Sequence, residues 1–332
     1  MTIGENRADR AAGNPRRTVT AAYGQAFDGI ENEVLGPLGA SVVFVDALSR
    51  DVVADAEALL VTLQPVGADL LEAMPRCRII SRAGTGIDLI DIEAATEMGI
   101  WVANVPDYAV DEVSTHALSL ILAHARRIPG LLGVVEGGGW DGRAAGRIRR
   151  LRGQTLGILG FGRIGQAVAA KAGALGVRIL AYDPYVRKER MAELGVEPVG
   201  FEELLGRADF ITLHMPLTPE THHLIDRSAL RQVRPEAVLV NTARGGLVDE
   251  EALVEAVGDG RLAGAAVDVL ESEPPSRDHP FLVEERIWVT PHAAWYSEEA
   301  GEEMIRTACQ NISLVFRGER PLHPVNTPRG LG

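Results

Sequence analysis

The second half of the chain alternates short apolar runs with helical patterns, and this alternation constrains the fold more than any other feature of the sequence. Six runs rich in aliphatic and β-branched residues begin 23 to 32 residues apart, which is the length of one strand and its following helix. We predict strands at residues 155–159, 178–182, 210–215, 237–242, 264–269 and 287–290. Their apolar character is continuous rather than alternating, as in parallel strands that are covered on both faces. The sequence therefore predicts a doubly wound α/β domain.

The first part of the chain shows a weaker version of the same alternation. We predict strands at residues 42–46, 58–61, 78–81 and 101–103, with a helix at residues 69–74. A long amphipathic helix is predicted from Asp111 to about Arg127, followed by a glycine-rich connector at residues 130–139. A last helix is predicted from Glu298 to Phe316. These patterns indicate a second, smaller α/β domain.

Composition excludes several classes of protein. The net charge of −13 argues against binding to a nucleic-acid backbone. No apolar stretch approaches the roughly 20 residues that span a bilayer, and the N-terminus lacks an apolar signal core. Two cysteines, Cys77 and Cys309, are too few for a disulfide framework. We therefore expect a cytoplasmic protein without nucleic-acid or membrane partners, in which residues 1–17 form a disordered leader.

A glycine-rich turn follows the strand predicted at residues 155–159. The turn and the start of the next helix read Gly160-Phe161-Gly162-Arg163-Ile164-Gly165. In a dinucleotide-binding turn, Gly160 would allow the tight bend, Gly162 would let a pyrophosphate approach the backbone, and Gly165 would let the helix pack on the strand. The N–H groups at the start of the helix, where Arg163 and Ile164 lie, would bind the pyrophosphate.

Asp183 discriminates between the two nicotinamide dinucleotides. It follows the strand predicted at residues 178–182 and lies 18 residues after Gly165. A carboxylate at this position accepts hydrogen bonds from the adenosine ribose hydroxyls and repels a 2′-phosphate. The sequence therefore predicts NAD, in either redox state, as the cofactor.

Side chains with complementary chemistry follow three of the predicted strands. Arg244 comes after the fourth strand, Glu271 and Glu273 after the fifth, and His292 after the sixth. Because parallel strands present their carboxyl ends at one edge of the sheet, we expect these side chains to lie close together. An arginine can bind a carboxylate, a histidine can take up a hydroxyl proton, and a glutamate can orient the imidazole. The set suits interconversion of a 2-hydroxy acid and a 2-keto acid, but spacing alone does not separate the two glutamates.

The chain resembles the D-isomer-specific 2-hydroxyacid dehydrogenase family over about residues 40–326. The likeness rests on segments 81–86, 104–108, 157–165, 241–246, 268–274 and 290–292. Segments 241–250, 271–274 and 292–297 are most similar to the C-terminal-binding-protein branch. The resemblance implies a Rossmann NAD domain, residues 106–297, inserted into a smaller flavodoxin-like substrate domain, residues 18–105 and 298–332. It also implies an active site in the cleft between the domains, and a homodimer joined through the helix that begins near Val110.

The resemblance further implies a role for each site residue. His292 would be the acid and base, Glu273 rather than Glu271 would orient it, and Arg244 would bind the substrate carboxylate. The residues assigned to the substrate are Ala83, Gly84, Thr85, Arg244 and Trp295. The residues assigned to the cofactor are Gly160, Gly162, Arg163, Ile164, Gly165, Asp183, Thr242, Ala243, Asp268 and His292, with Asp268 as acceptor for the nicotinamide amide. Trp295 would either line the substrate pocket or pack between the domains.

Two functions of different class remain open. One is an NAD-dependent oxidoreductase acting on a small 2-hydroxy or 2-keto acid, whose side chain the sequence does not define. The alternative is an NAD-sensing scaffold or corepressor with weak dehydrogenase activity, which is disfavoured because no long tail follows the last helix.

No metal is predicted, because the histidines outside the catalytic set lack metal-ligand spacing: His116, His124, His214, His222, His223 and His323. His214 either contacts NAD or packs in the core.

Overall fold

A computed structural model describes residues 17–22 and 29–330 of the protein. Residues 1–16 of the predicted leader therefore lie outside the described residues, and its last residue, Arg17, begins the first strand. The described residues divide into two compact units. The larger unit is Ala109–Ser297, and the smaller one contains the described residues up to Tyr108 and from Glu298 onwards.

The strands and helices occur in the following order along the chain. They are β1 (Arg17–Ala22), α1 (Ile30–Leu35), β2 (Ala40–Phe44), α2 (Arg50–Val53), β3 (Ala58–Val61), α3 (Ala68–Glu72), β4 (Ile79–Arg82), α4 (Ile92–Glu97), β5 (Trp101–Ala103), α5 (Val110–Ala125), α6 (Ile128–Glu136), β6 (Thr155–Leu159), α7 (Arg163–Ala174), β7 (Arg178–Tyr182), α8 (Lys188–Glu193), β8 (Glu197–Pro198), α9 (Phe201–Arg207), β9 (Phe210–Leu213), α10 (Arg227–Leu230), β10 (Val238–Asn241), α11 (Glu250–Gly258), β11 (Gly264–Val267), α12 (Pro280–Val283), β12 (Ile287–Val289) and α13 (Glu298–Phe316). Two 3-10 helices, Gly36–Leu38 and Gly245–Leu247, complete the set in the described ranges.

In its described part, the smaller unit contains a parallel sheet of five strands in the order β2-β1-β3-β4-β5. This order is that of flavodoxin-like folds. The last helix, α13, packs on this sheet, where the Ser81 hydroxyl donates a hydrogen bond to the carbonyl of Ala308 over 2.8 Å. The chain therefore returns to its first unit after completing the second.

The larger unit contains a parallel sheet of seven strands, in the order β12-β11-β10-β9-β6-β7-β8. The chain leaves β6 towards β7 and β8 on one side, and later returns to build β9 to β12 on the other. Such a reversal opens a crevice beyond the carboxyl ends of β6 and its neighbour β9, which is where doubly wound sheets bind ligands. The predicted Rossmann fold is confirmed.

Strand β6, which lies inside the sheet, is buried along its whole length. Leu156 and Ile158 belong to the core that includes residues of α5 and α7, while Leu159 belongs to the core on the opposite face. Each such fully buried aliphatic side chain stabilises the fold by about 1.5–3 kcal/mol relative to an exposed one. A Cβ added at Gly157 would lie 2.4 Å from Cδ2 of Leu204, so α9 packs directly against the strand backbone.

Several predicted boundaries are wrong. Strands β9 to β12 end one or two residues early, so that Thr242, Asp268 and Thr290 lie in loops beyond the sheet. The prediction overran because apolar residues continue past the strand ends: Val269 and Leu270 are buried without belonging to β11. Two strands were not predicted: β1, which lies between β2 and β3, and the short edge strand β8. Strand β2 begins two residues before its predicted start.

The predicted glycine-rich connector is largely a helix. Residues Ile128–Glu136 form α6, with a proline in its first turn, where the missing N–H costs no hydrogen bond. Among the described residues no single helix is long and apolar enough to cross a membrane. Helices α5 and α6 reach that length and apolarity only when taken together, and the chain bends by 56° between them.

Candidate active site

The glycine turn after β6 leaves no space for side chains at two of its three glycines. Gly160 has a φ of +91°, and an added Cβ would lie 2.6 Å from the backbone carbonyl of His214. A Cβ at Gly165 would lie 2.2 Å from the carbonyl oxygen of Gly160, so only glycine lets α7 approach this closely. Gly162 is different, because a Cβ there would meet no protein atom within 4 Å. The open side of the turn is thus at Gly162, directly before the first N–H groups of α7, which suits an anionic ligand.

Asp183 lies beside this turn. Its Oδ2 accepts a hydrogen bond of 2.8 Å from the N–H of Phe161, and its Oδ1 accepts one of 2.8 Å from the N–H of Tyr185. The carboxylate is therefore held in place by backbone groups on both sides. Since each oxygen can accept more than one hydrogen bond, Asp183 keeps acceptor capacity for ribose hydroxyls.

Two buried polar atoms next to the crevice lack hydrogen-bond partners among the described residues: the Thr242 hydroxyl, just beyond β10, and Nδ1 of His214, just beyond β9. The other ring nitrogen of His214 is 3.0 Å from the Thr212 hydroxyl, and burial lowers the pKa of His214 to about 3. The imidazole is therefore neutral. Buried polar atoms without partners are rare, and their presence at this strand edge is consistent with a polar ligand such as a dinucleotide.

Arg244 follows β10 on a braced loop. The amide of Asn241 donates to the Arg244 carbonyl over 2.7 Å and accepts from the N–H of Ala243 over 3.0 Å. A Cβ at Gly245 would lie 2.0 Å from the carbonyl carbon of Leu270, so the loops after β10 and β11 are in direct contact. This contact brings the backbone of Arg244 to the segment that carries the glutamates.

The two glutamates of that segment have different partners. Glu273 Oε2 is 2.6 Å from Nδ1 of His292, and its Oε1 accepts from the N–H of Leu270 over 2.9 Å. Glu271 instead contacts His223. Burial alone would raise the pKa of Glu273, but the hydrogen bonds from His292 and Leu270, aided by the charge of Arg244, lower it below its usual range. Glu273 is therefore ionised and is positioned to fix the tautomer of His292.

His292 has a backbone conformation that side chains rarely adopt, with a φ of +51°. Its N–H donates to the carbonyl of Asp268 over 2.8 Å. Because Nδ1 faces Glu273, the remaining nitrogen, Nε2, is the one that can reach a substrate. Observed left-handed residues of this kind are frequent at functional sites.

Asp268 anchors the loop that carries His292. Its buried carboxylate accepts from the Thr290 hydroxyl over 2.5 Å, and from the N–H groups of Ala293 and Ala294 over 2.9 and 2.8 Å. His116 of α5 joins this network, with Nε2 3.1 Å from the Thr290 hydroxyl and 3.8 Å from Asp268. Sequence reasoning missed His116, because 174 residues separate it from its partner.

The predicted substrate residues Ala83, Gly84 and Thr85 belong to the smaller unit. Gly84 has a φ of +138°, its carbonyl accepts from the N–H of Val105 over 3.0 Å, and a Cβ would overlap the Arg82 guanidinium. The Thr85 hydroxyl donates to the Val105 carbonyl over 3.1 Å. Trp295, in the larger unit, makes an edge contact with Tyr296, with ring centroids 5.5 Å apart.

Comparison with known proteins places these features in one family. The family model described as D-isomer specific 2-hydroxyacid dehydrogenase, NAD binding domain, matches residues 118–294. The chain is 44% identical over 276 residues to D-3-phosphoglycerate dehydrogenase of Methanocaldococcus jannaschii, covering 82% of this chain and 52% of that protein. It is 41% identical to glyoxylate reductase of Korarchaeum cryptofilum, covering 82% of this chain and 84% of that one. The chain belongs to the D-isomer specific 2-hydroxyacid dehydrogenase family, as its sequence predicts.

A solved structure supports the same assignment. D-lactate dehydrogenase from Aquifex aeolicus, complexed with NAD and lactic acid, superposes with a TM-score of 0.86 at 27% identity, covering 95% of this chain and 99% of that one. The larger unit thus carries the NAD-binding domain of the family. The chain spans about half the length of the phosphoglycerate dehydrogenases it matches. The particular likeness to the C-terminal-binding-protein branch stays a prediction.

Proposed function

We propose that this protein is an NAD-dependent oxidoreductase that interconverts a D-2-hydroxy acid and its 2-keto acid. The observation that carries the proposal is the hydrogen bond of 2.6 Å between Glu273 and His292, at the sheet edge that also carries Arg244 and the glycine turn. The dehydrogenase and reductase names of the relatives favour the same reaction over a corepressor.

The reaction requires one proton transfer in each direction. In the reduction of a 2-keto acid, protonated His292 donates its Nε2 proton to the carbonyl oxygen, and in the oxidation neutral His292 removes the hydroxyl proton. Glu273 stabilises the imidazolium and holds its Nδ1–H. Arg244 binds the substrate carboxylate, and Trp295 lines the substrate pocket. NAD, when bound, exchanges the hydride with C2 of the substrate.

The residues that would hold the cofactor lie at the same edge of the sheet. The turn from Gly160 to Gly165, with the N–H groups of Arg163 and Ile164, would bind the pyrophosphate, and Asp183 would bind the ribose. We propose that Asp183 selects NAD over NADP, because a carboxylate repels a 2′-phosphate.

The orphaned Thr242 hydroxyl suits a polar group of the cofactor, with Ala243 beside it. Both carboxylate oxygens of Asp268 already accept hydrogen bonds, so contact with the nicotinamide amide would use its remaining acceptor capacity.

Other parts of the proposal come from the family resemblance. The loop of Ala83, Gly84 and Thr85 would contribute backbone groups to the substrate carboxylate. A homodimer through α5 and the segment after it is supported by exposed apolar side chains in α6 and just beyond it: Ile128 at 43%, Leu132 at 58%, Val135 at 53% and Trp140 at 91% exposure. Exposed apolar patches of this kind commonly mark interfaces. A cytoplasmic location stays a prediction.

The test is a substrate screen with purified protein. Loss of NADH absorbance is followed with glyoxylate, hydroxypyruvate, 2-ketobutyrate, phenylpyruvate and longer 2-keto acids, and oxidation of 3-phosphoglycerate is followed with NAD. We expect turnover of at least one of these acids, with NADH preferred over NADPH. NADH binding without turnover of any acid would instead support the NAD-sensing scaffold.

A further inference from the structure

A cluster of potential metal ligands lies outside the catalytic set. His222 and His223 are in the loop after β9, and Glu271 is in the loop after β11. One ligand atom from each of the three side chains lies within 4.8 Å of the other two. Glu271 is hydrogen-bonded to Nε2 of His223, whose ring stacks on His222 with centroids 4.0 Å apart. We propose that these three side chains bind a divalent transition-metal ion, with Zn²⁺ as the best match.

Backbone contacts hold the two loops of this cluster in place. His223 has a φ of +51°, and its N–H donates to the carbonyl of Gly246 over 2.8 Å. The N–H of Glu271 donates to the Glu250 carboxylate over 3.0 Å. A left-handed conformation is unusual for histidine, and here it accompanies an imidazole aimed at a carboxylate from another strand end. The ligands are therefore anchored at the backbone before any ion binds.

The donor set selects the kind of ion. Two imidazole nitrogens and one carboxylate oxygen suit Zn²⁺, which takes three protein ligands and leaves a fourth tetrahedral position to water. Mg²⁺ and Ca²⁺ prefer oxygen ligands alone. Tetrahedral ligands at zinc distances lie about 3.4 Å from one another. The three ligand atoms, now within 4.8 Å of one another, would reach this spacing by rotation of the side chains, which would also unstack the two imidazoles.

The surroundings of the cluster also favour a cation. Glu250 places a second carboxylate against the backbone of Glu271, and the protein carries a net charge of −13. The side chains of His223 and Glu271 are 35% and 37% exposed, so an ion can reach them from solvent. Binding would replace the hydrogen bond between His223 and Glu271 by two metal–ligand bonds and would release any proton held there.

Direct binding measurements on the full chain test the site without relying on the proposed reaction. The protein is stripped with a chelator, dialysed, and titrated with ZnCl₂ or MgCl₂ in a calorimeter, and Co²⁺ is used as a spectroscopic probe of tetrahedral coordination. We expect one Zn²⁺ per chain, no comparable heat with Mg²⁺, and the intense visible absorption of tetrahedral Co²⁺. Zinc should also raise Tm, since it ties two loops together.

Variants locate the ion. His222→Ala and Glu271→Gln should each weaken zinc binding at least about tenfold, whereas His323→Ala, in the smaller unit, should leave it unchanged. Circular dichroism checks that each variant is folded. The proposal is overturned if the wild type binds no zinc below about 1 mM, or if both site variants bind as tightly as the wild type. Binding that is lost in His292→Ala instead would place the ion at the catalytic pair, and would equally overturn it.

Discussion

Replacement of Glu273 by glutamine probes the pair on which the proposed chemistry depends. In the wild type, one carboxylate oxygen accepts from His292 and the other from the N–H of Leu270. A glutamine side chain presents an oxygen at one of these two positions and an NH₂ group at the other, so one of the two donors would face another donor. It also carries no charge to stabilise an imidazolium. We therefore expect Glu273→Gln to lower kcat while the affinity for NADH stays unchanged, because the glycine turn and Asp183 are untouched.

The size of the effect follows from the geometry of the pair. Two unit charges about 4 Å apart interact by about 4 kcal/mol at an effective dielectric constant of 20. The side chains of His292 and Glu273 are 24% and 27% exposed, so water screens part of this interaction. A remaining loss of about 2–3 kcal/mol corresponds to a roughly 30- to 150-fold decrease in kcat.

The assay compares kcat for reduction of the best 2-keto acid at saturating NADH with the dissociation constant of NADH, measured by fluorescence. Glu285→Gln, at an exposed residue of the same unit, is the matched control and should behave as the wild type. A kcat for Glu273→Gln within about threefold of the wild type would show that the charge of Glu273 does not assist His292. A parallel loss of NADH affinity would show that Glu273 supports the cofactor rather than His292.

Three further predictions concern the cofactor turn and the core. Asp183→Asn should lower the ratio of kcat/KM with NADH to kcat/KM with NADPH by at least about tenfold, because the charge that repels the 2′-phosphate is lost. An unchanged ratio contradicts the role of Asp183. Gly162→Ala should keep Tm within about 2 °C, since its Cβ meets no protein atom, but should weaken NADH binding at least about tenfold; unimpaired binding contradicts the proposed pyrophosphate position. His124, stacked on Trp288, has a pKa lowered from 6.5 to about 4 by burial, so the unfolded chain takes up its proton first. The shift at His124 alone should therefore lower the free energy of unfolding by about 3 kcal/mol as the pH falls from 7 to 4, so denaturant unfolding of His124→Gln should show a smaller loss than the wild type over this range; an identical loss contradicts the role of His124.

The sequence predicts best where local patterns and tertiary environment agree. Strands β6 and β7 match their predicted bounds, because each is a largely apolar run followed by a residue with a special role, Gly160 or Asp183. The helix α6 was missed because its glycines lower the local helix propensity. The strand β1 was missed because it follows directly on a polar segment that reads as disordered.

Contacts between distant loops could be predicted only in part. The meeting of Glu273 and His292 follows from the rule that parallel strands present their carboxyl ends at one edge. Which of the two glutamates contacts His292 depends on loop conformation, and the local chemistry of the sequence does not encode it. The contact between His223 and Glu271 spans 48 residues and two loops, so ligand spacing along the chain gave no sign of it.

In the proposed reaction, this protein transfers a hydride to C2 of a 2-keto acid. The most direct measurement incubates the protein with NADH dideuterated at C4 and the best 2-keto acid, followed by NMR and chiral chromatography of the product. We expect a D-2-hydroxy acid with one deuterium at C2, and loss of this product in His292→Ala with NADH affinity retained. A product without deuterium at C2, an L-2-hydroxy acid, or undiminished formation by His292→Ala would contradict it.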